Sequence, residues 1–434
     1  MERKILIKNI ISTQHNEYDF DNLIDRDTVL PVDTKKIIVV TGVRRCGKTT
    51  LLKITRNRII KSGIRIQNTL FFSFDDERLL LDTGELDLIL QAYRELYPGN
   101  DIKSCYLFFD EIQNIENWDK FIRRVYDTIT QNIFISGSNS KLLGSEISTS
   151  LRGRTIQYEL FPLSFREYIN FNHIKPDYYS DSNKAILINA FSNYLTQGGF
   201  PETIGKNREL QQRILNDYYS VLLFRDIIER YSINQIPTLK FFLKKLIVNI
   251  GKPFSVNKIF NDLKSQGIRL NKNLLYEILE YVEAVYLGMR LYKFDYSVVN
   301  REKSDKKIYF IDNGLLNAVS YNFSGNYGTL LENSFFIWLR NRYKDLYYFK
   351  QKKECDFIIF DRDKAMTAIQ VSYTISEKET FDREINGLIE AMKYFNIESG
   401  LLVTAETEDR ITISNKIINI VPAYKLMTEN KVMF

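Results

Sequence analysis

One stretch of nine residues restricts what this chain can fold into more than any other. Gly42-Val43-Arg44-Arg45-Cys46-Gly47-Lys48-Thr49-Thr50 contains the full pattern G-x-x-x-x-G-K-[ST]. Its flanks suit it: Ile37-Ile38-Val39-Val40 is a β-branched run of strand character, and helical periodicity runs from Lys48 to about Lys61. The glycines let the backbone curl so that successive N–H groups point inward at an anion, and the following helix offers it a partly positive N-terminus. Lys48 would bring a point charge to the β- and γ-phosphates of a nucleotide, and the Thr49 hydroxyl would ligate Mg²⁺. The expected cofactors are therefore ATP and Mg²⁺, held by Gly42 to Thr50. The alternative is a glycine turn with an incidental lysine.

A second motif lies about sixty residues on. Tyr106-Leu107-Phe108-Phe109 is an apolar strand ending in Asp110-Glu111. Asp110 would hold Mg²⁺ through its water shell, and Glu111 would polarise the attacking water as general base. A strand at Leu70–Phe74 falls between the two motifs, which points to the P-loop branch with an extra strand between them. That branch usually ends its next strand in a polar sensor. Here Ile133-Phe134-Ile135 runs into Ser136-Gly137-Ser138-Asn139, so Asn139 or Ser138 is the candidate, and a plain strand-to-helix turn the alternative. Arg152 and Arg154 stand where such enzymes often place an arginine finger, and a surface salt bridge is equally compatible with them. Arg44 and Arg45 face phosphate, an acid across the site, or solvent.

Strands alternating with helices through residue 160 predict an α/β fold with a parallel sheet covered on both faces. At 434 residues the chain is too long for one core. Four segments are expected: a P-loop core at 1–163, a helical segment at 164–234, a winged helix-turn-helix at 235–324 and a second α/β domain at 325–434. The third is basic. Residues 235–310 hold 14 Lys/Arg against 7 Asp/Glu, enough to account for the whole net charge of +6. Lys258, Lys264, Arg269, Lys272, Lys293, Arg301, Lys303, Lys306 and Lys307 would contact the phosphates of duplex DNA, or form a solvated basic face.

Cys46, Cys105 and Cys355 are widely spaced, and with only His15 and His173 beside them no zinc site is expected. Reduced thiols, an N-terminus without a signal-peptide core and the lack of any run of roughly 20 apolar residues predict a cytoplasmic protein with no membrane partner.

The strings GVRRCGKTTLL, LFFDEIQNIENW, FISGSNSKLL, LRGR, PLSFREY and YLTQGGFPE together resemble the prokaryotic AAA-like P-loop ATPases that carry a C-terminal domain of unknown function. The resemblance runs from about residue 20 to the end. It implies an ATPase core, a middle winged helix and a C-terminal fold similar to restriction endonucleases. Such nucleases place an acid on a helix, an acid on one strand and E-x-K on the next, so that carboxylates chelate Mg²⁺ beside a lysine. Glu332 and Asp356 match the first two positions; Gln370 and Ser372 replace the acid and the lysine of the third, which implies a nuclease-like fold without catalysis. Three functions follow as expectations: an ATP-driven switch or motor linked to DNA, a protein partner or a homo-oligomer; a nucleotide-gated DNA-binding regulator; and a metal-dependent nuclease.

Overall fold

The computed structural model describes residues 2–16, 23–76, 78, 81–138, 151, 153–267, 271–320 and 326–429. They form two compact units, Met1–Phe161 and Pro162–Phe434.

The first unit is built on a five-stranded sheet of β1 (Ile37–Gly42), β2 (Thr69–Ser73), β3 (Tyr106–Asp110), β4 (Ile133–Gly137) and β5 (Thr155–Leu160), in the order β2-β3-β4-β1-β5. Every neighbouring pair is parallel. Parallel strands need covered faces, and the side-chain alternation supplies them. Ile37, Val39, Leu70, Phe72, Leu107, Phe109, Ile133 and Ile135 point to one face. There they meet α1 (Glu2–Asn16), α3 (Asp87–Leu96) and α4 (Trp118–Thr128), which contribute Ile7, Ile11, Ile89, Phe121 and Val125. The opposite parity, with Phe108 stacked on Phe134 at 4.7 Å, meets α2 (Lys48–Lys61). Because β3, β4 and β1 are adjacent and parallel, their C-terminal ends lie side by side, bringing the two sequence motifs to one edge.

The second unit begins with α5 (Phe165–Phe171), α6 (Asp181–Gln197) and α7 (Arg208–Val221), which runs on as a π-helical stretch, Leu222–Glu229. Three helices follow, α8 (Ile236–Val248), α9 (Val256–Ser265) and α10 (Lys272–Ala284), and then an antiparallel hairpin of β6 (Gly288–Lys293) and β7 (Lys306–Phe310). The connection between β6 and β7 contains a short helix, α11 (Val298–Lys303), because the Ser297 side chain accepts from the Asn300 N–H and caps it. After α12 (Asn313–Val319) and α13 (Tyr327–Arg340) come β8 (Leu346–Lys350), β9 (Glu354–Asp361), β10 (Lys364–Val371), α14 (Lys378–Tyr394), β11 (Ser399–Thr404), β12 (Asp409–Ile413), β13 (Lys416–Pro422) and α15 (Ala423–Thr428). The hairpin does not stand apart from these strands. Tyr292 and Lys293 pair with Tyr347 and Tyr348, giving one mixed sheet, β12-β13-β11-β10-β9-β8-β6-β7. The α/β fold class holds in both units.

The Gly198-Gly199 pair of YLTQGGFPE has a steric reason. A Cβ on Gly199 would lie 2.3 Å from the Leu163 carbonyl oxygen. Its N–H donates to Asp312 Oδ2 at 2.7 Å, and Asp312 also caps α12 by accepting from the Leu315 N–H at 3.0 Å. Two of the six quoted strings, PLSFREY and YLTQGGFPE, thus meet at one buried turn.

Candidate functional site

The loop between β1 and α2 is shaped by what lies behind it. A Cβ on Gly42 would sit 2.1 Å from the Leu160 carbonyl oxygen, so the end of β5 admits only glycine there. Cys46 Sγ donates to the same oxygen at 3.3 Å, and burial pushes its thiol up, so it packs and does not react. Val43 is buried as well, while Arg44 and Arg45 are not, and Arg45 takes a left-handed φ of 69°. Gly47, at φ 100°, opens α2. Lys48 Nζ donates to the carbonyls of Gly42 and Val43, both at 3.2 Å, and lies 3.4 Å from Glu111 Oε1. The ammonium therefore sits inside the loop, surrounded by oxygens.

Asp110 ends β3 beside it. Thr49 Oγ1 donates to Asp110 Oδ2 at 2.8 Å, Ser73 Oγ reaches the same oxygen at 3.4 Å, and Ser136 Oγ donates to Oδ1. Burial pushes the Asp110 carboxyl above its ordinary value, although the Ser136 and Thr49 hydroxyls pull it back. A buried carboxylate held by neutral hydroxyls is under-compensated, and a hydroxyl and a carboxylate oxygen 2.8 Å apart suit a hard cation that keeps most of its water. The residues present thus fit Mg²⁺.

Glu111 stands at φ 52°, a left-handed conformation that carries its side chain back toward Lys48. Its N–H donates to Ser136 Oγ at 3.1 Å, and the Gln113 amide donates to its Oε2. Burial acts to raise the Glu111 carboxyl, but Lys48, Gln113 and Arg44 outweigh it and hold the group below the ordinary carboxylate value. Glu111 is therefore an anion at neutral pH.

The remaining residues expected here divide. Thr50 follows in the first turn of α2. Ser138 is buried just past the end of β4, and its hydroxyl has no hydrogen-bond partner among the described residues. Asn139 and Arg152 lie outside the described residues. Arg154 is not brought to the site. It precedes β5, its backbone oxygen accepts from the Ile37 N–H, and its side chain pairs with Asp127 at 3.0 Å. That is the opposite edge of the sheet, roughly 16 Å along β5 from the loop.

Two contributors were not legible from the sequence. Ser136 joins Asp110 to the Glu111 backbone. Its only signal is a hydroxyl in an otherwise apolar strand. Arg26, before β1, donates to the carbonyls of Cys46 and Phe161, both at 2.8 Å, and so straps the loop to the end of β5. Nothing in its neighbourhood marks it.

In the second unit the basic face is smaller than its composition implies. Lys307 is buried and Lys306 donates to the carbonyl of Ser304, while Arg269 lies outside the described residues. The outer side of α10 carries Glu277 and Glu280 beside Lys272. Of the nuclease-pattern residues, Glu332 and Asp356 converge on a shared partner, Lys307. Gln370 accepts from the Asp356 N–H at 3.2 Å, and Ser372 donates to the Thr374 carbonyl at 2.9 Å. No helix among the described residues is long and apolar enough to cross a membrane.

A parallel sheet in this order, with a glycine-bounded loop after β1 and an Asp-Glu pair ending β3, defines an AAA-like P-loop ATPase domain. Residues 34–169 match the family described as "AAA domain", and residues 188–326 match "Domain of unknown function (DUF8612)". The chain belongs to the family of the uncharacterized protein MJ1544 of Methanocaldococcus jannaschii, with which it is 36% identical over 98% of its own length and 96% of the relative's. An uncharacterized protein of Haemophilus influenzae is 29% identical over 80% of this chain and 84% of its own. Among solved structures, the RuvB Holliday junction branch migration motor of Thermotoga maritima is 18% identical, covering 67% of this chain and 88% of that one, with a TM-score of 0.28.

Proposed function

We propose that the chain hydrolyses ATP with Mg²⁺ and uses the cycle to drive a conformational switch or motor. The observation that carries this reading is the convergence of Lys48, Thr49, Asp110 and Glu111 in one hydrogen-bonded cluster at the sheet's C-terminal edge. Lys48 leaves its loop carbonyls for the β- and γ-phosphates, which supply the oxygens it now takes from its own backbone. Thr49 and Asp110 would hold Mg²⁺, which would supply positive charge to neutralise the phosphates. Release of the Lys48 contact leaves Glu111, already ionised, to accept a proton from water. Ser138, whose buried hydroxyl has no hydrogen-bond partner among the described residues, or Asn139 serves as sensor of the γ-phosphate. Arg152, and Arg154 only from a second copy, would act on the transferred group.

The partner is DNA, a protein or another copy of the chain, and the acids on α10 favour a protein over a major groove, since carboxylates there face phosphates of like sign. The C-terminal sheet is read as restriction-endonuclease-like, supported by Glu332 on a helix and Asp356 on a strand meeting at one point.

The test is Mg²⁺-dependent phosphate release by the purified chain, beside Lys48→Ala and Glu111→Gln. Wild type is expected to turn over, Lys48→Ala to lose nucleotide binding, and Glu111→Gln to bind ATP with kcat lower by at least roughly a hundredfold. Equal rates in wild type and Glu111→Gln would remove Glu111 as base.

A further inference from the structure

We propose that Glu332, Glu354 and Asp356 form a cation site that the chain fills with its own tethered ammonium, that of Lys307, and that removing this ammonium turns the cluster into a site for a hard divalent metal ion.

The geometry is that of a bound cation. Lys307 Nζ lies 2.9 Å from Asp356 Oδ1, 2.9 Å from Glu354 Oε1 and 3.3 Å from Glu332 Oε1. An ammonium has three N–H donors, and three carboxylates take them. Its side chain is 1% exposed, so these oxygens replace its water shell. The ligands come from two elements, Glu332 from α13 and Glu354 and Asp356 from β9, and the ammonium from a third, β7. The carboxylates are also held from outside. The Val371 N–H donates to the other Asp356 oxygen, Oδ2, at 3.1 Å, and Lys350 Nζ to the other Glu354 oxygen, Oε2, at 2.9 Å, while the Tyr309 hydroxyl donates at 2.6 Å to Glu332 Oε1, the oxygen that also faces Lys307. The carboxylates are thus aimed at one point, and the point is Nζ.

A lysine that assists a metal stands beside the ion, with carboxylates left free to ligate it. Here all three carboxylates are spent on the ammonium. Among the described residues no group of three or more His, Cys, Asp or Glu is arranged to hold a metal ion as the chain stands. Ca²⁺ binds oxygens at about 2.3–2.6 Å and Mg²⁺ or Mn²⁺ somewhat closer, so a contraction of roughly 0.3 to 1.3 Å around the vacated point would serve. The charge agrees. Three acids surround one buried lysine, so the cluster has more carboxylates than a single ammonium can neutralise. Lys307 supplies the positive charge that Ser372 cannot, but from another strand and in the metal's position. The C-terminal sheet then serves to fasten the β6–β7 hairpin to α13 and β9, and does not cut nucleic acid.

The experiment titrates Mn²⁺ into the full chain without nucleotide, read by the electron paramagnetic resonance signal of free Mn²⁺. Lys307→Met should gain one Mn²⁺ per chain at an affinity roughly tenfold or more above wild type, and Lys307→Met/Asp356→Asn should lose it. The proposal fails if a folded Lys307→Met binds no more Mn²⁺ than wild type. It fails equally if wild type binds Mn²⁺ in a way that Asp356→Asn abolishes, or cleaves plasmid with Mn²⁺ and loses that activity in Asp356→Asn. If Lys307→Met does not fold, wild type and Asp356→Asn are compared by thermal unfolding with and without Mn²⁺. The same shift in both supports the tethered ammonium; a stabilisation confined to wild type overturns it.

Discussion

The Ser136 hydroxyl donates its proton to the carboxylate of Asp110 and accepts one from the Glu111 backbone. One side chain therefore fixes the distance between the acid proposed to hold Mg²⁺ and the acid proposed to activate water. Alanine there leaves a buried carboxylate oxygen and a backbone N–H without their shared partner, a loss of about 1–3 kcal/mol in positioning. Since the Ser136 hydroxyl is bonded to Asp110 and to the Glu111 backbone, the loss falls on turnover. Ser136→Ala is expected to lower kcat for ATP roughly tenfold or more while KM changes by less than about threefold, and Ser136→Thr, which keeps the hydroxyl, to restore most of the rate. A raised KM at unchanged kcat in steady-state phosphate release would place Ser136 in binding instead. The contrast with Lys48, Thr49 and Asp110 shows why one set was legible and the other was not. Glycine spacing, a lysine and an acid-ended strand write their chemistry into contiguous residues. Ser136, Arg26 and Lys307 acquire their roles from neighbours 20 or more positions away.

At the level of elements, strands buried on both faces were legible as continuous apolar runs, which is why β1, β3 and β4 fall where Ile37–Val40, Tyr106–Phe109 and Ile133–Ile135 predict them. β12 and β13 are half exposed and mix polar with apolar residues, and the π-helical turn at Leu222–Glu229 has no periodicity of its own to announce it. The N-terminal helix is a similar case. It lies ahead of the phosphate motif, outside the alternation of strands and helices, yet α1 covers the sheet through Ile7 and Ile11. Its last turn is anchored by His15, whose Nε2 meets the Thr69 carbonyl oxygen at 2.8 Å and whose Nδ1 meets the Tyr97 hydroxyl at 2.7 Å. A carbonyl only accepts, so Nε2 carries the proton and Nδ1 accepts from tyrosine; the ring is neutral. Burial, then the Arg56 guanidinium, lowers the His15 pKa from 6.5 to about 4. Between those values the unfolded chain binds a proton that the folded chain refuses. The stability His15 contributes is thus complete above about 6.5 and is lost as pH falls toward about 4. Denaturant midpoints of the first unit from pH 7 to pH 4.5 should fall more steeply for wild type than for His15→Gln. Parallel curves would show that the imidazole is not the group responsible.

For the molecule as a whole, the decisive fact is that the chain forms two units, each with its own core, and that every contact described for the nucleotide site lies within Met1–Phe161. The C-terminal core, with Cys355, Ile358, Leu388 and Leu402 packed together, is complete without it. A ligand that binds only the native form of one unit stabilises that unit by RT ln(1 + [L]/Kd), about 2.7 kcal/mol at a hundredfold excess over Kd. For a unit of this size that corresponds to a rise of roughly 5–10 °C in Tm. Calorimetry of the purified chain is therefore expected to show two transitions, of which ATP with Mg²⁺ raises one and leaves the other within about a degree. The site itself assigns the shifted transition: Lys48→Ala should abolish the shift, because the ammonium that replaces its loop carbonyls with phosphate oxygens is gone, while Glu111→Gln should keep it, because loss of the base leaves the grip on the phosphates intact. Lys307→Met should lower the other transition alone, since it breaks a buried cluster within Pro162–Phe434. A single transition that moves as one with ATP and with Lys307→Met would mean that the units fold as one cooperative body. A switch would then transmit nucleotide state through shared stability, and two separable units could not be its moving parts.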